Sequence, residues 1–146
     1  MENVNWTANN IPSQQGKTFL ITGANSGIGF EATKVLSKKG AHIIMTARNL
    51  QKGYEALEVI KKENPNAKLD LMPLDLADFH SIRNFSNEFH SKYSKLDVLL
   101  NNAGILASGD FNEIPLKRQH QLVDVNIKGV MNGCYLAFPY LQQTTH

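Results

Sequence analysis

The sequence alternates between two hydrophobic periods, and this alternation limits the folds that the chain can adopt. Four short apolar runs lie at residues 18–22, 42–46, 69–74 and 96–100, and segments with helical periodicity follow each of them. Nearly continuous apolar runs are typical of strands that are buried on both faces. Strands that alternate with helices form parallel sheets with right-handed crossovers. The sequence therefore predicts an α/β fold with a doubly wound parallel sheet, of which four strands are visible.

Two helical segments allow more specific predictions. Ile28, Ala32, Val35 and Leu36 share one face of the first segment, which predicts that this face packs on the sheet. The last segment, at about residues 116–142, is predicted to form one long helix, in which Pro139 predicts a kink or a break.

A glycine-rich turn connects the first strand to the first helix. Residues 22–29 read Thr-Gly-Ala-Asn-Ser-Gly-Ile-Gly and open directly into the helical segment. Glycines let a pyrophosphate approach main-chain N–H groups, and the helix N-terminus adds a favourable dipole. The turn therefore predicts a dinucleotide site in a Rossmann-type fold; the alternative is a tight turn without a ligand. A nucleoside-triphosphate P-loop is excluded, because Phe30 follows Gly29 where that motif has lysine. The predicted phosphate-binding residues are Gly23, Asn25, Ser26, Gly27, Ile28 and Gly29.

Length and composition exclude several other classes of protein. The 146 residues correspond to one domain, with an N-terminal arm at 1–15, which Trp6, Ile11 and Pro12 would pin to the body, and a dinucleotide-binding domain at 16–146. The net charge of +2 is too weak a bias to suggest binding to nucleic acid or to an anionic membrane. Cys134 is the single cysteine, and the histidines lack metal-binding spacing, so no metal site is predicted. No apolar stretch is long enough to span a bilayer, and we expect a cytoplasmic protein.

Three motifs together resemble a known family, the classical short-chain dehydrogenase/reductases. Their signature Thr-Gly-x-x-x-Gly-x-Gly matches residues 22–29, and their Asn-Asn-Ala-Gly motif matches residues 101–104. An asparagine in the following helix matches Asn126. The resemblance extends from residue 17 to about 143. Extended-type epimerases are disfavoured, because Ser26 stands where they have glycine. Residues 6–7, 11–12, 24–26 and 46–49 are similar to the retinol-dehydrogenase-like branch.

The end of the second strand bears on the choice of cofactor. Residues 45–49 contain no carboxylate, which NAD enzymes place here to bind the ribose 2′-OH, but they contain Arg48. A guanidinium suits a 2′-phosphate, so we expect NADP(H) to be preferred, with NAD(H) possible. The alternative is a surface arginine after the strand.

The resemblance implies further cofactor contacts. It implies that Asp75 and Leu76 bind the adenine, although Asp75 also fits a turn or a helix cap. It implies as well that Asn101, Ala103 and Gly104 border the cofactor. Asn102 is expected to stabilise the sheet through hydrogen bonds from its side chain to the backbone.

The catalytic residues that the resemblance implies are asparagine, serine, tyrosine and lysine. Asn126 matches the asparagine; alternatively, it is a buried helical asparagine that bonds its own backbone. No tyrosine is followed by lysine four residues later, and no serine-bearing strand follows the long helix. The partners Ser, Tyr and Lys are therefore absent, and we expect the chain to be inactive alone. Of three explanations we favour a truncated chain; the others are a natural short relative that only binds cofactor, and a chain that borrows its second half.

These observations lead to two functional hypotheses. The first is the NADP(H)-binding portion of an oxidoreductase that transfers hydride between nicotinamide and a small-molecule alcohol or carbonyl. The branch resemblance alone implies a lipophilic alcohol or aldehyde. The alternative is a catalytically silent dinucleotide-binding or regulatory module. The family resemblance also implies a homo-oligomer, a dimer or tetramer, in the full-length protein.

Overall fold

The fold is a four-stranded parallel sheet with helices on both faces, as the sequence predicts. In the computed structural model, which describes residues 6–142, the strands are β1 (Thr18–Ile21), β2 (His42–Ala47), β3 (Lys68–Pro73) and β4 (Val98–Leu100). The helices are α1 (Gly27–Lys38), α2 (Leu50–Glu63), α3 (Phe79–Lys92), α4 (Leu116–Val123) and α5 (Val130–Leu141). The sheet order is β3-β2-β1-β4.

The sheet separates two hydrophobic clusters. On one face Ile21, Ile43 and Met45 pack with Leu57 and Ile60 of α2. The other face has its own cluster, which joins strand residues to α3 and α5. Its members include Leu20, Ile44, Met72, Ile82, Phe85, Phe89 and Ala137. Because both faces are covered, the central strands have no polar side, which explains their nearly continuous apolar sequences.

The register of the strands brings all four carboxyl ends to one edge of the sheet. Phe19 pairs with Ile43 of β2 and with Val98 of β4, and Ile43 pairs with Leu69 of β3. We call this edge, which follows Ile21, Ala47, Pro73 and Leu100, the carboxyl edge, and the opposite one the amino edge. Asn49 caps α2 and Asp78 caps α3 through their side chains, so both helices begin close to the carboxyl edge.

The buried face of α1 differs from the predicted one. Ile28 is 82% exposed, whereas Gly29, Thr33 and Ser37 are the buried residues of this helix. These three small residues repeat every four positions, which brings the helix axis close to the sheet. The Thr33 hydroxyl donates to the Gly29 carbonyl at 2.7 Å, so its polar group is satisfied inside the helix. Of the predicted face, Leu36 packs against the core and Ile28 is exposed, so the apolar periodicity located the packing face only in part.

The long helical segment also departs from the prediction. It does not end at Pro139, because α5 continues to Leu141. The irregularity lies earlier, where Asp124–Gly129 form a π-helical stretch between α4 and α5. Single π-helical turns of this kind occur frequently at functional sites.

Polar contacts hold the described part of the N-terminal arm to the body. Trp6 is 67% exposed, so it does not pin the arm as predicted. Instead the Gln14 N–H donates to the Lys39 carbonyl at 2.8 Å, and Lys39 Nζ donates to the Asn9 carbonyl at 3.1 Å. The arm thus lies against the C-terminal end of α1.

Candidate cofactor-binding site

A cleft opens at the carboxyl edge, where the segments that follow all four strands meet. It has a cavity volume of about 160 Å³ and is open to solvent on one side. Its lining comprises Gly23, Asn25, Thr46, Ala47, Arg48, Leu74, Asp75, Leu76, Ala103, Gly104, Ile105 and Val125. Seven of these are residues that the sequence predicted as cofactor contacts.

Two polar side chains fix the floor of the cleft by joining the ends of β1 and β4. The Thr22 hydroxyl oxygen accepts hydrogen bonds from the N–H groups of Asn102 and Ala103, both at 3.0 Å. The Asn102 amide donates to the Thr22 carbonyl at 2.9 Å. The prediction that Asn102 stabilises the sheet is thus confirmed. Sequence reasoning missed the structural role of Thr22, for which the threonine that begins the matched motif was the available signal.

The three glycines of the turn have different local environments. Gly23 and Gly27 have φ of +65° and +57°, which L side chains rarely adopt. A Cβ at Gly23 would lie 3.0 Å from the Ala103 backbone, whereas a Cβ at Gly27 would have no heavy atom within 4 Å. At Gly29 a Cβ would lie 2.6 Å from the Gly23 carbonyl oxygen and would collide with the Asn102 amide. Gly29 is therefore required by protein packing, and Gly27 leaves open space in front of the turn.

The N-terminus of α1 is available to an anion. Ser26 is the N-cap, but its side chain makes no capping hydrogen bond, so the first N–H groups of the helix have no side-chain cap. Ser26, Gly27 and Ile28 are all exposed at this point. Together with the open space at Gly27, these features fit a pyrophosphate group, which would accept hydrogen bonds from the backbone here.

Arg48 lies at the far side of the cleft from the β4 segment. It follows Ala47, the last residue of β2, and is exposed. The nearest polar neighbour in sequence, Asn49, accepts a hydrogen bond from the Lys52 N–H at 3.0 Å and is thereby committed to the cap of α2. Arg48 is the only cationic side chain among the residues that line the cleft in the described part of the chain. It can therefore neutralise an anionic ligand group in the cleft.

Asp75 makes a local turn, as one of the two interpretations predicts, and it also lies in the lining of the cleft. One carboxylate oxygen accepts from the Ala77 N–H at 2.9 Å, which makes a local turn, and the Asp75 N–H donates to the Ser81 hydroxyl at 2.9 Å. The same residue lines the cleft beside Leu76. Leu76 packs against Gly129 of the π-helical stretch, where an added Cβ would lie 2.9 Å from the Leu76 Cβ.

The structure does not bring the Asn101 side chain to the cleft. Successive residues of a strand point to opposite faces, and Asn101 follows Leu99 at the even spacing that places both on the α3–α5 side. The Asn101 amide donates to Cys134 Sγ at 3.4 Å, and its Oδ1 is buried without a hydrogen-bond partner. Of the predicted β4 contacts, Ala103 and Gly104 line the cleft and the Asn101 side chain does not.

Asn126 acts on the backbone of a neighbouring loop. The Ile105 N–H donates to Asn126 Oδ1, and Asn126 Nδ2 donates to the Ile105 carbonyl, both at 2.9 Å. The side chain is exposed and bonds another segment, unlike the buried asparagine of the alternative hypothesis. Because Ile105 lines the cleft, Asn126 holds the cleft wall in place from the π-helical stretch.

No tyrosine lines the cleft in the part of the chain that the structure describes. Tyr93 lies near the amino edge and donates to Asp70 Oδ2 at 2.9 Å. Burial and the neighbouring Asp70 carboxylate raise the pKa of the Tyr93 phenol above its usual value. A phenol with a raised pKa in that position is not a proton donor for chemistry in the cleft.

Residues 6–142 contain neither a metal-binding cluster nor a helix that could span a membrane. No group of three or more histidine, cysteine, aspartate and glutamate side chains is arranged to hold a metal ion. None of the helices there has both the length and the hydropathy needed to cross a bilayer.

Comparison with known proteins identifies the family. The profile of the short chain dehydrogenase family matches residues 17–146. A short-chain dehydrogenase/reductase of Phomopsis amygdali is 43% identical over 107 residues, 72% of this chain and 32% of that protein. A WW domain-containing oxidoreductase of Gallus gallus is 45% identical over 93 residues, 64% of this chain and 22% of that protein. The chain thus spans about a third or less of the length of these relatives.

Solved structures show the same fold. A gluconate 5-dehydrogenase of Burkholderia cenocepacia in complex with NADP and tartrate is 28% identical, with a TM-score of 0.76 over 87% of this chain and 49% of that chain. A metagenomic short-chain oxidoreductase in complex with NADP is 25% identical, with a TM-score of 0.79 over 87% of this chain and 57% of that one. With the family profile extending over nearly all of its residues, the chain belongs to the short-chain dehydrogenase family.

Proposed function

We propose that this chain is the NADP(H)-binding portion of an oxidoreductase that transfers hydride between nicotinamide and an alcohol or carbonyl carbon. The observation that carries the proposal is Arg48 in the cleft, at the end of a strand whose residues 45–49 include no carboxylate. A carboxylate at this place would repel a 2′-phosphate, whereas a guanidinium attracts it. The two solved relatives described above contain NADP, which supports the same cofactor here.

Different residues of the chain would bind different parts of the cofactor. The N-terminus of α1, with Gly23 and Gly27, would hold the pyrophosphate, and Arg48 would bind the 2′-phosphate. Asp75 and Leu76 would border the adenine, while Ala103 and Gly104 would approach the ribose closest to the nicotinamide. When bound, NADP(H) supplies the hydride acceptor or donor. Asn126 would keep the Ile105 wall of the cleft in position, and we assign it this positioning role.

The finer features of the protein are supported by sequence alone. A lipophilic alcohol or aldehyde as substrate, membership of the retinol-dehydrogenase-like branch, a cytoplasmic location, and a dimer or tetramer in the full-length protein are all part of the proposal. Residues 24–26 and 46–49 support the branch.

Cofactor titration tests the proposal. We expect the chain to bind NADPH more tightly than NADH, and Arg48→Asp to weaken NADPH binding about tenfold to 150-fold, because a charge-assisted hydrogen bond contributes about 1.5–3 kcal/mol. NADH binding should change little. Arg83→Asp, which makes the same charge change on the exposed face of α3, is the matched control. Equal affinity of the parent chain for NADPH and NADH would refute the proposed preference.

An activity assay on the same protein tests whether cofactor binding occurs without catalysis. With saturating NADPH and a panel of aldehydes and ketones, we expect binding without turnover, because the cleft holds no tyrosine to protonate the substrate oxygen. Turnover by the chain alone would contradict this expectation.

A further inference from the structure

The net charge of +2 conceals a strong segregation of charge in the folded molecule. Nine of the twelve lysines lie at the amino edge, in residues 34–39, 61–68 and 92–95 together with Lys17. Helices α1, α2 and α3 end there, and β1, β3 and β4 begin there. Among residues 6–142, only four acidic residues share this edge, namely Glu63, Asp70, Glu88 and Asp97. The rest of the sequence has six basic side chains against nine acidic ones.

The four acidic residues are all occupied. Glu63 pairs with Lys34 at 2.7 Å and with Lys38 at 3.3 Å, and Asp97 pairs with Lys95 at 3.2 Å. Glu88 pairs with Lys92, and Asp70 pairs with His42. Among the described residues, no acidic partner is found for the exposed Lys17, Lys61, Lys62 and Lys68. Lys61 and Lys62 lie in the last turn of α2, where a positive charge stabilises the helix dipole. Lys17 precedes β1 and Lys68 begins β3, so no helix dipole accounts for their positions.

An exposed tryptophan lies at the same edge. Trp6, the only tryptophan of the chain, is 67% exposed and precedes Thr7, which caps the turn formed by Ala8–Asn10. That turn is fastened to the end of α1 by the hydrogen bond from Lys39 to Asn9. An indole ring has an apolar body and a polar N–H, which favours the interface between a membrane and water.

From this combination we propose that the amino edge, with Trp6, is a docking surface for an anionic lipid bilayer. Lysines near such a surface are attracted to anionic head groups, and a second signal such as an inserted aromatic ring makes binding stable. The surface contains lysines and no arginine, since Arg48, Arg83 and Arg118 lie elsewhere. Arginine is the preferred residue for recognition of nucleic acid, so a surface that contains only lysines favours lipid. The cleft lies at the opposite ends of the strands and would remain open to water.

Vesicle flotation tests the proposal, because aggregated protein sinks and is not counted as bound. We expect the full 146-residue chain to float with vesicles of phosphatidylcholine and phosphatidylserine at low salt, but not with phosphatidylcholine alone. The variant Lys61→Gln/Lys62→Gln/Lys68→Gln should lower the partition coefficient about 100-fold, since each lysine contributes about fivefold. The matched control Lys52→Gln/Lys117→Gln/Lys128→Gln removes the same charge elsewhere and should bind like the parent.

The fluorescence of Trp6 gives an independent readout. Its emission should shift to shorter wavelength on binding to anionic vesicles, and Trp6→Ala should weaken flotation without changing the circular dichroism spectrum. Failure to bind phosphatidylserine vesicles, or equal loss of binding in both triple variants, would overturn the proposal. Binding to a duplex oligonucleotide without flotation would assign the surface to nucleic acid and would overturn it as well. None of these outcomes depends on cofactor binding.

Discussion

Single residues of the glycine turn differ in what they contribute. Gly29 makes room for the Asn102 amide and the Gly23 carbonyl, so its role is internal packing. Gly27 faces open space and has a positive φ, so its role is to present backbone to a ligand. Substitutions at the two positions should therefore separate stability from cofactor binding, although both glycines belong to one motif.

We expect Gly27→Val to abolish NADP(H) binding while the fold persists. The positive φ costs about 1–2 kcal/mol with an L side chain, and the added methyl groups would occupy the space proposed for the pyrophosphate. Gly29→Ala should instead lower the free energy of unfolding by about 1–3 kcal/mol through overpacking, while the folded fraction still binds the cofactor. Urea unfolding and cofactor titration of both variants measure this. Unchanged NADP(H) affinity in Gly27→Val would show that the turn does not bind the phosphates.

The cluster of Tyr93, Asp70 and His42 makes stability depend on pH. Burial opposes the charge of Asp70, but hydrogen bonds from His42 at 2.7 Å and from Tyr93 hold the pKa of the carboxyl below its usual value. A carboxyl with a lowered folded-state pKa stabilises the fold above its unfolded-state pKa, and this stabilisation is lost as the pH falls through the folded-state value. The raised pKa of Tyr93 acts in the opposite range, so that its contribution is lost at strongly alkaline pH.

We expect Tyr93→Phe to lower the free energy of unfolding by about 1 kcal/mol at neutral pH. A hydrogen bond to a charged group contributes about 1.5–3 kcal/mol, and the partial exposure of Asp70 reduces this amount. The loss should shrink when Asp70 is protonated in strong acid. Urea unfolding at both pH values measures it, with Tyr54→Phe at an exposed position as the control. A loss of the same size at both pH values would exclude the charged hydrogen bond as its source.

At the scale of elements, the π-helical stretch Asp124–Gly129 is tied to the segment after β4 by one side chain. We expect Asn126→Ala to release the Ile105 backbone, with a loss of about 1–2 kcal/mol for two hydrogen bonds. Hydrogen exchange of the Ile105 amide should become faster, and cofactor affinity should fall because Ile105 lines the cleft. Asn112→Ala, at an exposed position of the same loop, should leave both unchanged. Undiminished protection of Ile105 in Asn126→Ala would contradict the positioning role.

The elements that the sequence predicted well are those whose signal is local. The four apolar runs match the four strands, because the residues that form each strand carry the signal themselves. The helix-face prediction for α1 was right for Leu36 and wrong for Ile28, because close helix–sheet packing selects small residues, which carry no apolar signal. The Asn101 side chain points to the α3–α5 side because side chains alternate between the two faces along β4 and the residue that follows it. The exposure of Trp6 depends on the tertiary contacts of the arm.

At the scale of the whole molecule, one helix face is left open. Val123, Ile127, Met131, Tyr135 and Phe138 follow each other at intervals of three or four residues along α4, the π-helical stretch and α5. All five are exposed, and Tyr135 is 81% exposed. In addition, β4 has β1 as its only strand neighbour within residues 6–142. Exposed apolar stripes and open strand edges both favour association with other chains.

We therefore expect the 146-residue chain to form oligomers in solution. Light scattering should give a mass above the 16.3 kDa of one chain. Met131→Lys/Tyr135→Lys places two charges on the stripe and should shift the population towards monomer. Gln51→Lys/Val59→Lys adds the same charge on the exposed side of α2 and is the control. If both double variants behave like the parent, the stripe is not the contact surface.

The bond between Asn102 and Thr22 has a consequence for the order of events during synthesis. The two residues are 80 positions apart. Their hydrogen bond joins the ends of β1 and β4, and β4 lies on the side of β1 opposite to β2. The ribosome adds about 5–20 residues per second, so roughly 4–16 s pass between their translation. During that interval β1 can pair with β2 but not with β4. A central strand of the finished sheet is therefore temporarily its outermost strand. The nascent chain is most exposed to mispairing then, before the residues that form the cofactor cleft have all been made.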